Sequence, residues 1–388
     1  MDTQNTPIHV NLWHHEFWLM GIANLLLTTC IYILIPIFAE DMIRNGFSFE
    51  EVAIAMGVYG LGIFAFGGFT NYLIQRFRRN NVCVFSIIGV IACLAAGYYF
   101  TQLPRHTDFL LLVLVRFLMG AFFGLSQMVL NSTLIIDISE SFKRTEACYA
   151  TAWFGRFALA IGPFLSVFIS VKAGVQMVFV VAIICALISI CLIKIVNFPF
   201  KAPSENLKKY SNDRFFLVRG WPLFVNLIMI TTVIGLLFTV TMFVNVCGMM
   251  MAGFILAVIA EKWAFQNADL KSEIVSGLIC IGIAIILMIT RHQEVVHFLA
   301  PSLVGFGIGI IGSRFLLFFI KLANHCQRGT SSSTFFLGWE LGISIGLFIG
   351  YIVHNEISIL LVCLSLMAIS LANYHFVVHP WYMKNRNR

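Results

Sequence analysis

Residues 109–134 read FLLLVLVRFLMGAFFGLSQMVLNSTL, a stretch that holds a single charged side chain, Arg116. About 20 consecutive apolar residues suffice for a helix to cross the hydrocarbon core of a membrane, which is roughly 30 Å thick. Similar stretches recur along the 388 residues, of which 60% are hydrophobic and 11% are charged, with a mean hydropathy of +0.91. A soluble domain cannot hide that much apolar surface from water. The sequence therefore predicts an all-α membrane protein.

Polar breaks divide the apolar sequence into twelve predicted membrane-spanning helices, numbered in chain order. They lie at 17–38, 52–73, 82–101, 109–134, 148–171, 174–196, 222–243, 246–265, 274–290, 298–320, 332–353 and 357–378. The boundary between spans 7 and 8 has only Asn245 and Gly248 to indicate a turn. A long basic connector predicts an amino-terminal six-helix bundle at 1–196, a linker at 197–220 and a carboxy-terminal six-helix bundle at 221–388.

The basic residues fall mainly on one side of the predicted membrane. With the amino terminus in the cytoplasm, cytoplasmic segments hold eighteen of the 25 Lys and Arg residues, the opposite side four and the spans three. Cytoplasmic loops are enriched in Lys and Arg, so both termini are predicted to be cytoplasmic. The first 16 residues contain no Lys or Arg, unlike a cleaved signal peptide, so span 1 is predicted to be retained. We expect a multi-pass protein of a bacterial-type inner membrane.

A weak internal repeat relates spans 2 and 5 to spans 8 and 11, six places later. A shift of 184 residues aligns Arg144, Arg156 and Gly162 with Arg328, Glu340 and Gly346. A shift of 186 aligns residues 75–77 (QRF) with 261–263 (EKW). Parallel repeats of this kind enclose a site near the membrane midplane, and rocking of the two halves opens it to one side at a time. The repeat favours a transporter; the alternative is a duplicated scaffold kept for stability.

The connector between spans 2 and 3 reads NYLIQRFRRN at 71–80. It resembles the motif Gly-x-Leu-x-Asp-Arg-x-Gly-Arg-Arg of the major facilitator superfamily, because Leu73, Arg76 and Arg79 match, whereas Gln75 replaces the acid. The resemblance covers essentially the whole chain. It implies a secondary transporter built from two pseudo-symmetric bundles of six helices.

In that family the acid of this motif pairs with arginines and latches one conformation. The resemblance therefore implies a latch at Gln75, Arg76 and Arg79, although Gln75 carries no charge. Such a latch would rest on hydrogen bonds or on another acid. The equivalent site of the second half retains an acid, Glu261, beside Lys262.

Two further motifs resemble those of proton-coupled exporters in the family. Arg116 and Gly120 match Arg-x-x-x-Gly in span 4, and Gly155 with Gly162-Pro163 in span 5 is similar to the end of an antiporter motif whose trailing glycines are absent. The resemblance implies efflux of the drug or sugar type in exchange for protons. An uptake symporter is the alternative within transport.

Four ionisable side chains lie well inside the predicted spans: Arg116, Arg156, Arg314 and Glu340. Each costs about 2.5 to 3.5 kcal/mol at a helix centre, so each is expected to face protein, water or a partner. Arg314 and Glu340 are predicted at similar depth on consecutive spans, where they could pair. Such a pair could equally be a static salt bridge.

Glu340 is the predicted proton-coupling or cation-sensing group. Glycines recur every four residues in span 11, at Gly338, Gly342, Gly346 and Gly350, and form a stripe on which another helix can pack. Glu340 points away from this stripe, roughly 200° around the helix from its neighbouring glycines. A carboxyl group that faces a hydrated cavity from this position can take up and release a proton.

Arg156 occupies the position equivalent to Glu340 in the first half. Trp153 precedes it by three residues and shares its face, so a cation–π contact between them is predicted. One hypothesis is that Arg156 and Glu340 bind opposite ends of a charged or zwitterionic solute. The other, which we favour from the sequence alone, is that each satisfies a neighbour within its own half.

The remaining candidates are less specific. Arg116 is expected either to influence proton movement, as the resemblance implies, or to bond backbone carbonyls. Asn24 belongs to a polar cluster in span 1, and Gln127 and Asn131 are one turn apart in span 4, where they could line a cavity. For each of them, satisfaction of a local hydrogen bond is at least as strong an interpretation.

The sequence lacks the machinery of several other classes. It contains no His-Glu-x-x-His, nucleophile elbow or P-loop, so neither an enzyme nor an ATP-driven pump is predicted, and no cofactor or metal site is expected. The expected partners are a small-molecule solute, protons and the lipid bilayer, without nucleic acid, and the chain is expected to be a monomer. The rival class is a membrane receptor or assembly component that kept the scaffold and lost transport.

Overall fold

The computed structural model describes residues 11–101, 109–198, 208–240, 244–265, 268–291 and 293–386. This part of the chain contains twelve helices long and apolar enough to cross a membrane. In chain order, α1 to α12 are His15–Arg44, Phe49–Arg76, Arg79–Phe100, Phe109–Asp137, Arg144–Ala173, Val175–Ile195, Val218–Leu237, Val246–Trp263, Leu270–Thr290, Glu294–Leu322, Arg328–Val353 and Glu356–Asn385. The predicted all-α class and the twelve predicted spans are confirmed.

Two of the spans in the first half are interrupted, and each break has a local cause. In α1 the helix His15–Tyr32 ends at a turn through Ile33, and a second segment, Ile35–Arg44, begins with Pro36 in its first turn. Proline has no backbone N–H to continue the preceding helix, so the break falls just before it. In α2 the glycines of the 3₁₀ turn Gly67–Phe69 separate Phe49–Gly62 from Thr70–Arg76.

The break between α7 and α8 lies earlier than the sequence predicted. The helix of α7 ends at Leu237, and the next helical residues are Val244–Trp263. Asn245 and Gly248 therefore lie inside a helix, and the predicted turn at these residues is wrong. Gly248 instead faces Phe164 of α5 in the other half. A methyl group on Gly248 would lie 3.7 Å from the Phe164 ring. A glycine in a membrane helix marks close packing as often as a turn.

The two halves pack alike, helix for helix. In the first half α1 packs against α5 and α6, α4 against α2 and α3, and α6 against α3 and α5. In the second half the same contacts recur six helices later: α7 packs against α11 and α12, α10 against α8 and α9, and α12 against α9 and α11. The halves meet through α2 with α11 and α5 with α8, and through α4 with α11 and α5 with α10. Both sets of contacts obey the pseudo-twofold relation that parallel repeats require.

The linker between the halves contacts both of them. Residues 199–207 of the predicted linker 197–220 lie outside the described residues, as do 1–10, 387 and 388. Its described end passes over the tips of α2 and α4, where the backbone N–H of Ser211 donates to the carbonyl of Gly68 at 2.9 Å. The backbone N–H of Leu217 donates to Thr334 of α11 at 2.7 Å. We call this end of the bundle, which holds the linker and most basic connectors, the basic side.

Candidate functional site

A cavity lies at the junction of the two halves. Its lining comes from α1, α4 and α5 of the first half and α10 and α11 of the second: Asn24, Thr28, Tyr32, Gln127, Asn131, Ile135, Cys148, Thr151, Ala152, Gly155, Arg156, Leu316, Ser332, Phe335, Phe336, Trp339 and Glu340. Its volume is about 40 Å³, which holds a few water molecules. Among the lining residues, Arg156 is the basic side chain and Glu340 is the acidic one. The structure thus brings these two predicted residues together at one chamber.

Arg156 and Glu340 lie at matching depths. Each is twelve residues from the first residue of its helix, Arg144 in α5 and Arg328 in α11, or about 18 Å along the axis. The helices begin on the basic side, so both side chains lie near the middle of a hydrocarbon core of about 30 Å. The equivalence found in the sequence repeat is therefore also an equivalence of position.

Helix packing turns Glu340 toward the first half. The glycine stripe Gly338, Gly342, Gly346 and Gly350 packs against α7, where a methyl group on Gly338 would lie 3.0 Å from Phe224. The opposite face of α11 carries Glu340, which is 2% exposed. The backbones of α7 and α11 approach so closely at the stripe that the carboxyl group is left no room on that side.

Two tyrosines of the first half hold the Glu340 carboxylate. The hydroxyl of Tyr32, at the end of the first segment of α1, donates a short hydrogen bond to Oε1. The hydroxyl of Tyr59 in α2 donates to Oε2 at 3.5 Å. Gly162 of α5 sets the position of Tyr32, since a methyl group there would lie 2.8 Å from the Tyr32 Cβ. Both oxygens of the acid are therefore bonded across the interface between the halves.

Arg156 is buried without a hydrogen bond or an ion pair to any described residue. It is 7% exposed, and its Nε has no partner. Its Cζ lies 4.0 Å from the ring centroid of Trp339 and 4.4 Å from that of Phe335, both in α11. Gly312 of α10 makes room for the side chain, because a methyl group there would lie 3.0 Å from its Cδ. Cation–π contacts orient the guanidinium group but leave its N–H donors unused.

Two interpretations of Arg156 from the sequence are wrong. Trp153 does not hold the guanidinium: its ring packs against Phe254 at 5.3 Å and Tyr149 at 6.5 Å, measured between centroids. The favoured hypothesis that Arg156 and Glu340 each satisfy neighbours in their own half also fails, since each is contacted by the other half. A spacing of three residues places two side chains on one helix face but does not say which neighbouring helix supplies their partners.

The uncharged polar candidates form one hydrogen-bonded chain along the cavity wall. Asn131 Nδ2 donates to Gln127 Oε1 at 2.7 Å, and Gln127 Nε2 donates to Thr28 Oγ1 at 2.9 Å. Thr28 donates to the carbonyl of Asn24 at 2.8 Å, and Asn24 Nδ2 donates to the carbonyl of Thr151 at 3.2 Å. Gly155 lies next to Asn24 and leaves the chain exposed to the cavity. This wall is polar, uncharged and supplied by the first half alone.

Arg314 does not pair with Glu340. Its Nε lies 2.8 Å from Glu261 Oε1 and forms a shorter ion pair with Glu273, so its partners come from α8 and α9 of its own half. Tyr149 of α5 donates a short hydrogen bond to Glu261 across the interface. The predicted pair is wrong because Arg314 points toward α8 and α9, whereas Glu340 points toward α1 and α2. Glu261 is thus part of a contact between the halves, whereas Lys262 is exposed.

Arg116 lies outside the cavity wall. Its Nε donates to the carbonyl of Ala55 in α2 at 3.2 Å, and its Cζ lies 4.5 Å from the Phe38 ring centroid and 5.2 Å from that of Tyr59. The residue therefore bonds a backbone carbonyl, one of its two predicted roles. Through the Tyr59 ring it adjoins the tyrosine that donates to Glu340.

Of the residues in the predicted latch, Arg79 pairs with an acid that lies outside the motif. Gln75 Nε2 donates to Asn71 at 2.9 Å within the same helix, and Arg76 is exposed. Arg79 pairs with Asp137 at the end of α4. Asp137 replaces the missing acid of the motif, a substitution that residues 71–80 alone could not reveal.

Arg214 of the linker approaches the same corner. Its guanidinium donates to the backbone carbonyl of Ser132 in α4, and its backbone N–H donates to Thr330 of α11 at 3.0 Å. Burial lowers the pKa of this arginine, and Asp213 opposes the shift. The linker thus ties α4 to α11 on the basic side, next to Arg79 and Asp137.

The halves touch on both sides of the cavity. On the side away from the linker, a methyl group on Gly57 of α2 would lie 3.0 Å from Phe348 of α11, and Phe49 stacks on His354 with ring centroids 4.9 Å apart. On the basic side a methyl group on Gly329 would lie 2.5 Å from the Ser132 carbonyl oxygen. Residues of the two halves are therefore in contact on both sides of the cavity.

Sequence reasoning missed five contributors to these sites: Tyr32 as the donor to Glu340, Tyr59, Trp339, Asp137 and Glu273. Glu273 is 1% exposed but lies in the first turn of α9, where a sequence pattern assigns a charge to the connector. Asp137 lies at the end of α4, where the same kind of pattern assigns its charge to the connector. Trp339 and Tyr59 carry no charge, so hydropathy does not distinguish them from other residues of a span. The proximity of Trp339 to Glu340 in the sequence was the one available signal.

Two repeated six-helix bundles around a polar chamber define a membrane transporter. Residues 17–347 match the family model of the Major Facilitator Superfamily, and the chain belongs to this superfamily. The resemblance proposed from the sequence is confirmed at this level.

Solved structures share the fold at low sequence identity. The human organic anion transporter MFSD10 (TETRAN) superposes with a TM-score of 0.70 at 13% identity, over 93% of this chain and 99% of its own. A bacterial homologue of the iron transporter ferroportin, in an outward-facing state, gives a TM-score of 0.67 at 13% identity, over 95% and 100%. An auto-inhibited POT family peptide transporter gives 0.67 at 12% identity, over 97% and 98%. No curated protein sequence matches the chain significantly.

Proposed function

We propose that this protein is a proton-coupled secondary transporter that moves a small solute through the Arg156–Glu340 chamber by alternating access. One observation carries the proposal: two opposite charges, one from each half, border a single cavity and are each contacted by the other half. A charge buried at mid-membrane depth costs several kcal/mol, which a scaffold without a ligand has no need to sustain. This argument also favours transport over a receptor or assembly role on the same scaffold.

Glu340 is the proposed proton carrier. When ionised, its carboxylate accepts hydrogen bonds from Tyr32 and Tyr59 and so joins α11 to α1 and α2. When protonated, it becomes a donor and loses the charge that strengthens both bonds. Proton uptake would therefore weaken the contact between the halves at the level of the cavity. This links the charge on one residue to the rocking of two bundles.

Arg156 is the proposed solute-binding group. Its guanidinium is oriented by Trp339 and Phe335, yet it makes no hydrogen bond to any residue that the structure describes. The amide chain from Asn131 to Asn24 offers a second, uncharged wall for hydrogen bonds. The chamber can thus hold a small polar solute between one cation and several neutral donors and acceptors.

Two observations bear on the direction of transport, and they favour different directions. The resemblance of Arg116, Gly120, Gly155 and Gly162-Pro163 to exporter motifs favours efflux by antiport. In the structure Arg116 bonds the Ala55 carbonyl and Gly162 packs on α1, so these residues also have a structural role that serves either direction. The charges of the chamber favour movement of solute and proton together, which is the symport alternative.

The distribution of Lys and Arg residues supports a bacterial-type inner-membrane location with both termini in the cytoplasm. The basic side would then be the cytoplasmic side. Membrane-impermeant maleimide should label the exposed Cys326 only after cell permeabilisation. Labelling of Cys326 in intact cells would reverse the proposed orientation.

The test of function is flux in proteoliposomes with a pH-sensitive dye in the lumen. Anionic, neutral and cationic solutes are presented with and without an imposed pH gradient. We expect Glu340→Gln to lose at least 90% of the pH-driven flux, whereas Glu356→Gln, an exposed acid at the start of α12, keeps it. Full pH-driven flux in Glu340→Gln would remove the assigned role. Absence of flux for every solute class in the unsubstituted protein would favour the receptor class instead.

A further inference from the structure

The chamber carries a balanced pair of charges, and that balance restricts what can enter it. Arg156 is the basic side chain of its lining and Glu340 is the acidic one, so with both ionised the chamber is neutral. They form no ion pair with each other, and the Tyr32 hydroxyl lies with them at the same level. A charged solute that reaches Arg156 therefore adds its own charge to a small site deep in the membrane, with room for only a few water molecules. In such a site an uncompensated charge is strongly unfavourable.

We propose that the solute is a small organic monoanion, a carboxylate or a sulfonate, and that it crosses together with one proton held by Glu340. This inference rests on the proposed transport function and adds the solute class and the proton stoichiometry. The anion binds the unused N–H groups of Arg156, whose planar array matches an oxyanion. Protonation of Glu340 then returns the loaded chamber to neutrality.

The groups around Glu340 fit this exchange of charge. Tyr32 from α1 and Tyr59 from α2 face it as neutral donors, and Arg156 faces it from α5. Arg116 from α4 lies behind the Tyr59 ring and is held by the Ala55 carbonyl. None of the described groups supplies a second acid at the chamber. Glu340 is therefore the group that can give up its negative charge when an anion arrives.

The aromatic frame of Arg156 favours an anion over a cation. A cationic solute would have to lie beside a guanidinium that is already stacked on Trp339 and Phe335. An oxyanion can reach the edge of the guanidinium while both rings remain in contact with its faces. The neutral amides of Gln127 and Asn131 accommodate the rest of the solute without adding charge.

The test uses sulfonates, which stay ionised and so cannot carry protons through the bilayer by themselves. Proteoliposomes of the full-length protein, with a pH-sensitive dye inside and the membrane potential clamped, receive a gradient of methanesulfonate, ethanesulfonate or benzenesulfonate. We expect at least one of them to acidify the lumen at a rate that Arg156→Gln lowers tenfold or more. Lys172→Gln, an exposed cation further along α5, should leave the rate unchanged.

Further variants separate binding from coupling. Arg156→Lys keeps the charge and should retain part of the flux if the chamber folds. Glu340→Gln should still exchange labelled sulfonate between the two sides but without lumen acidification. Sulfonate entry without proton movement in the unsubstituted protein would overturn the stoichiometry. Proton movement driven only by neutral or cationic solutes would overturn the anion assignment while the proposed function stands, and no proton-coupled flux of any solute would defeat both.

Discussion

At the scale of single residues, the chamber depends on what each charge contacts. Arg156 is framed by aromatic rings and makes no hydrogen bond to a described residue, whereas Arg314 pairs with two carboxylates and Arg116 donates to a backbone carbonyl. These three arginines look alike in a hydropathy profile. Their surroundings differ, and the solute-binding role proposed for Arg156 rests on that difference.

Trp339 is expected to contribute to solute binding through the orientation of Arg156. Trp339→Phe retains a ring but weakens the cation–π contact by about 0.5–1 kcal/mol, so the apparent KM for the solute should rise roughly two- to fivefold. Trp153→Phe is the matched control, because Trp153 contacts Phe254 and does not line the cavity. An equal rise in KM in both variants would mean that the effect comes from lost packing rather than from the chamber.

Arg314 is expected to stabilise the second half. Arg314→Gln leaves the carboxylates of Glu261 and Glu273 without their cation, and loss of one partner of a buried ion pair costs about 3–5 kcal/mol. The thermal unfolding midpoint of the detergent-solubilised protein should fall clearly.

The double variant Arg314→Gln, Glu273→Gln should recover part of this loss, because it removes one of the stranded charges. Arg291→Gln, an exposed arginine at the other end of α9, serves as the control and should not shift the midpoint. A double variant no more stable than Arg314→Gln alone would argue against the cluster as a coupled unit.

At the scale of helices, the seam between α7 and α11 sets the direction in which Glu340 points. The glycine stripe lets the two backbones approach, and the face opposite the stripe is turned toward α1 and α2. The seam of the first half is built likewise, since Gly162 packs α5 on α1 beside Tyr32. The same helix pair in each half therefore orients the charged residue of the chamber.

Gly346→Ala is expected to destabilise this seam. A methyl group at Gly346 would lie 2.7 Å from the Gly235 Cα and the Leu236 backbone nitrogen, which cannot move aside as a flexible side chain can. Overpacking of this kind costs about 1–3 kcal/mol, so the unfolding midpoint and the transport rate should both fall. Gly282→Ala, where the nearest atom is Met367 Cγ at 3.9 Å, should be neutral or slightly stabilising. Equal midpoints for the two variants would contradict the close approach.

At the scale of the whole molecule, the two halves hold each other at both ends. Contacts between α2 and α11 close the side away from the linker, and α4, α11 and the linker residue Arg214 close the basic side. Alternating access requires these two sets of contacts to break in turn.

Spin-label distances are expected to change in opposite senses at the two ends. Labels at Glu50 and Glu356 report on the side away from the linker, and labels at Phe142 and Lys321 report on the basic side. The exposed Cys191 and Cys326 are first replaced by Ser. Each pair should show two populations, and a condition that lengthens one distance should shorten the other. Simultaneous lengthening at both ends would contradict a rocking mechanism.

Much of the architecture follows from hydropathy and spacing alone. Twelve apolar runs, a repeat with an offset of six helices and a glycine at every fourth position of α11 sufficed to predict two bundles and a Glu340 turned from the packing seam. These features are one-dimensional, because bilayer thickness sets the length of each run and the helix repeat sets the angle between residues of one span. The partner of each charge does not follow from such one-dimensional features. Arg314 was predicted to be able to pair with Glu340 and instead pairs with Glu273.

The sequence by itself determined the number of spans, their division into two related halves and the presence of charges too costly to face lipid. Only the tertiary structure decided that Arg156 and Glu340 share a chamber, that Tyr32 and Tyr59 hold the acid, and that Arg314 belongs to a separate cluster. The physical reason is that periodicity fixes where a side chain points around its own helix axis. Which helix stands opposite is set by the packing of all the helices together.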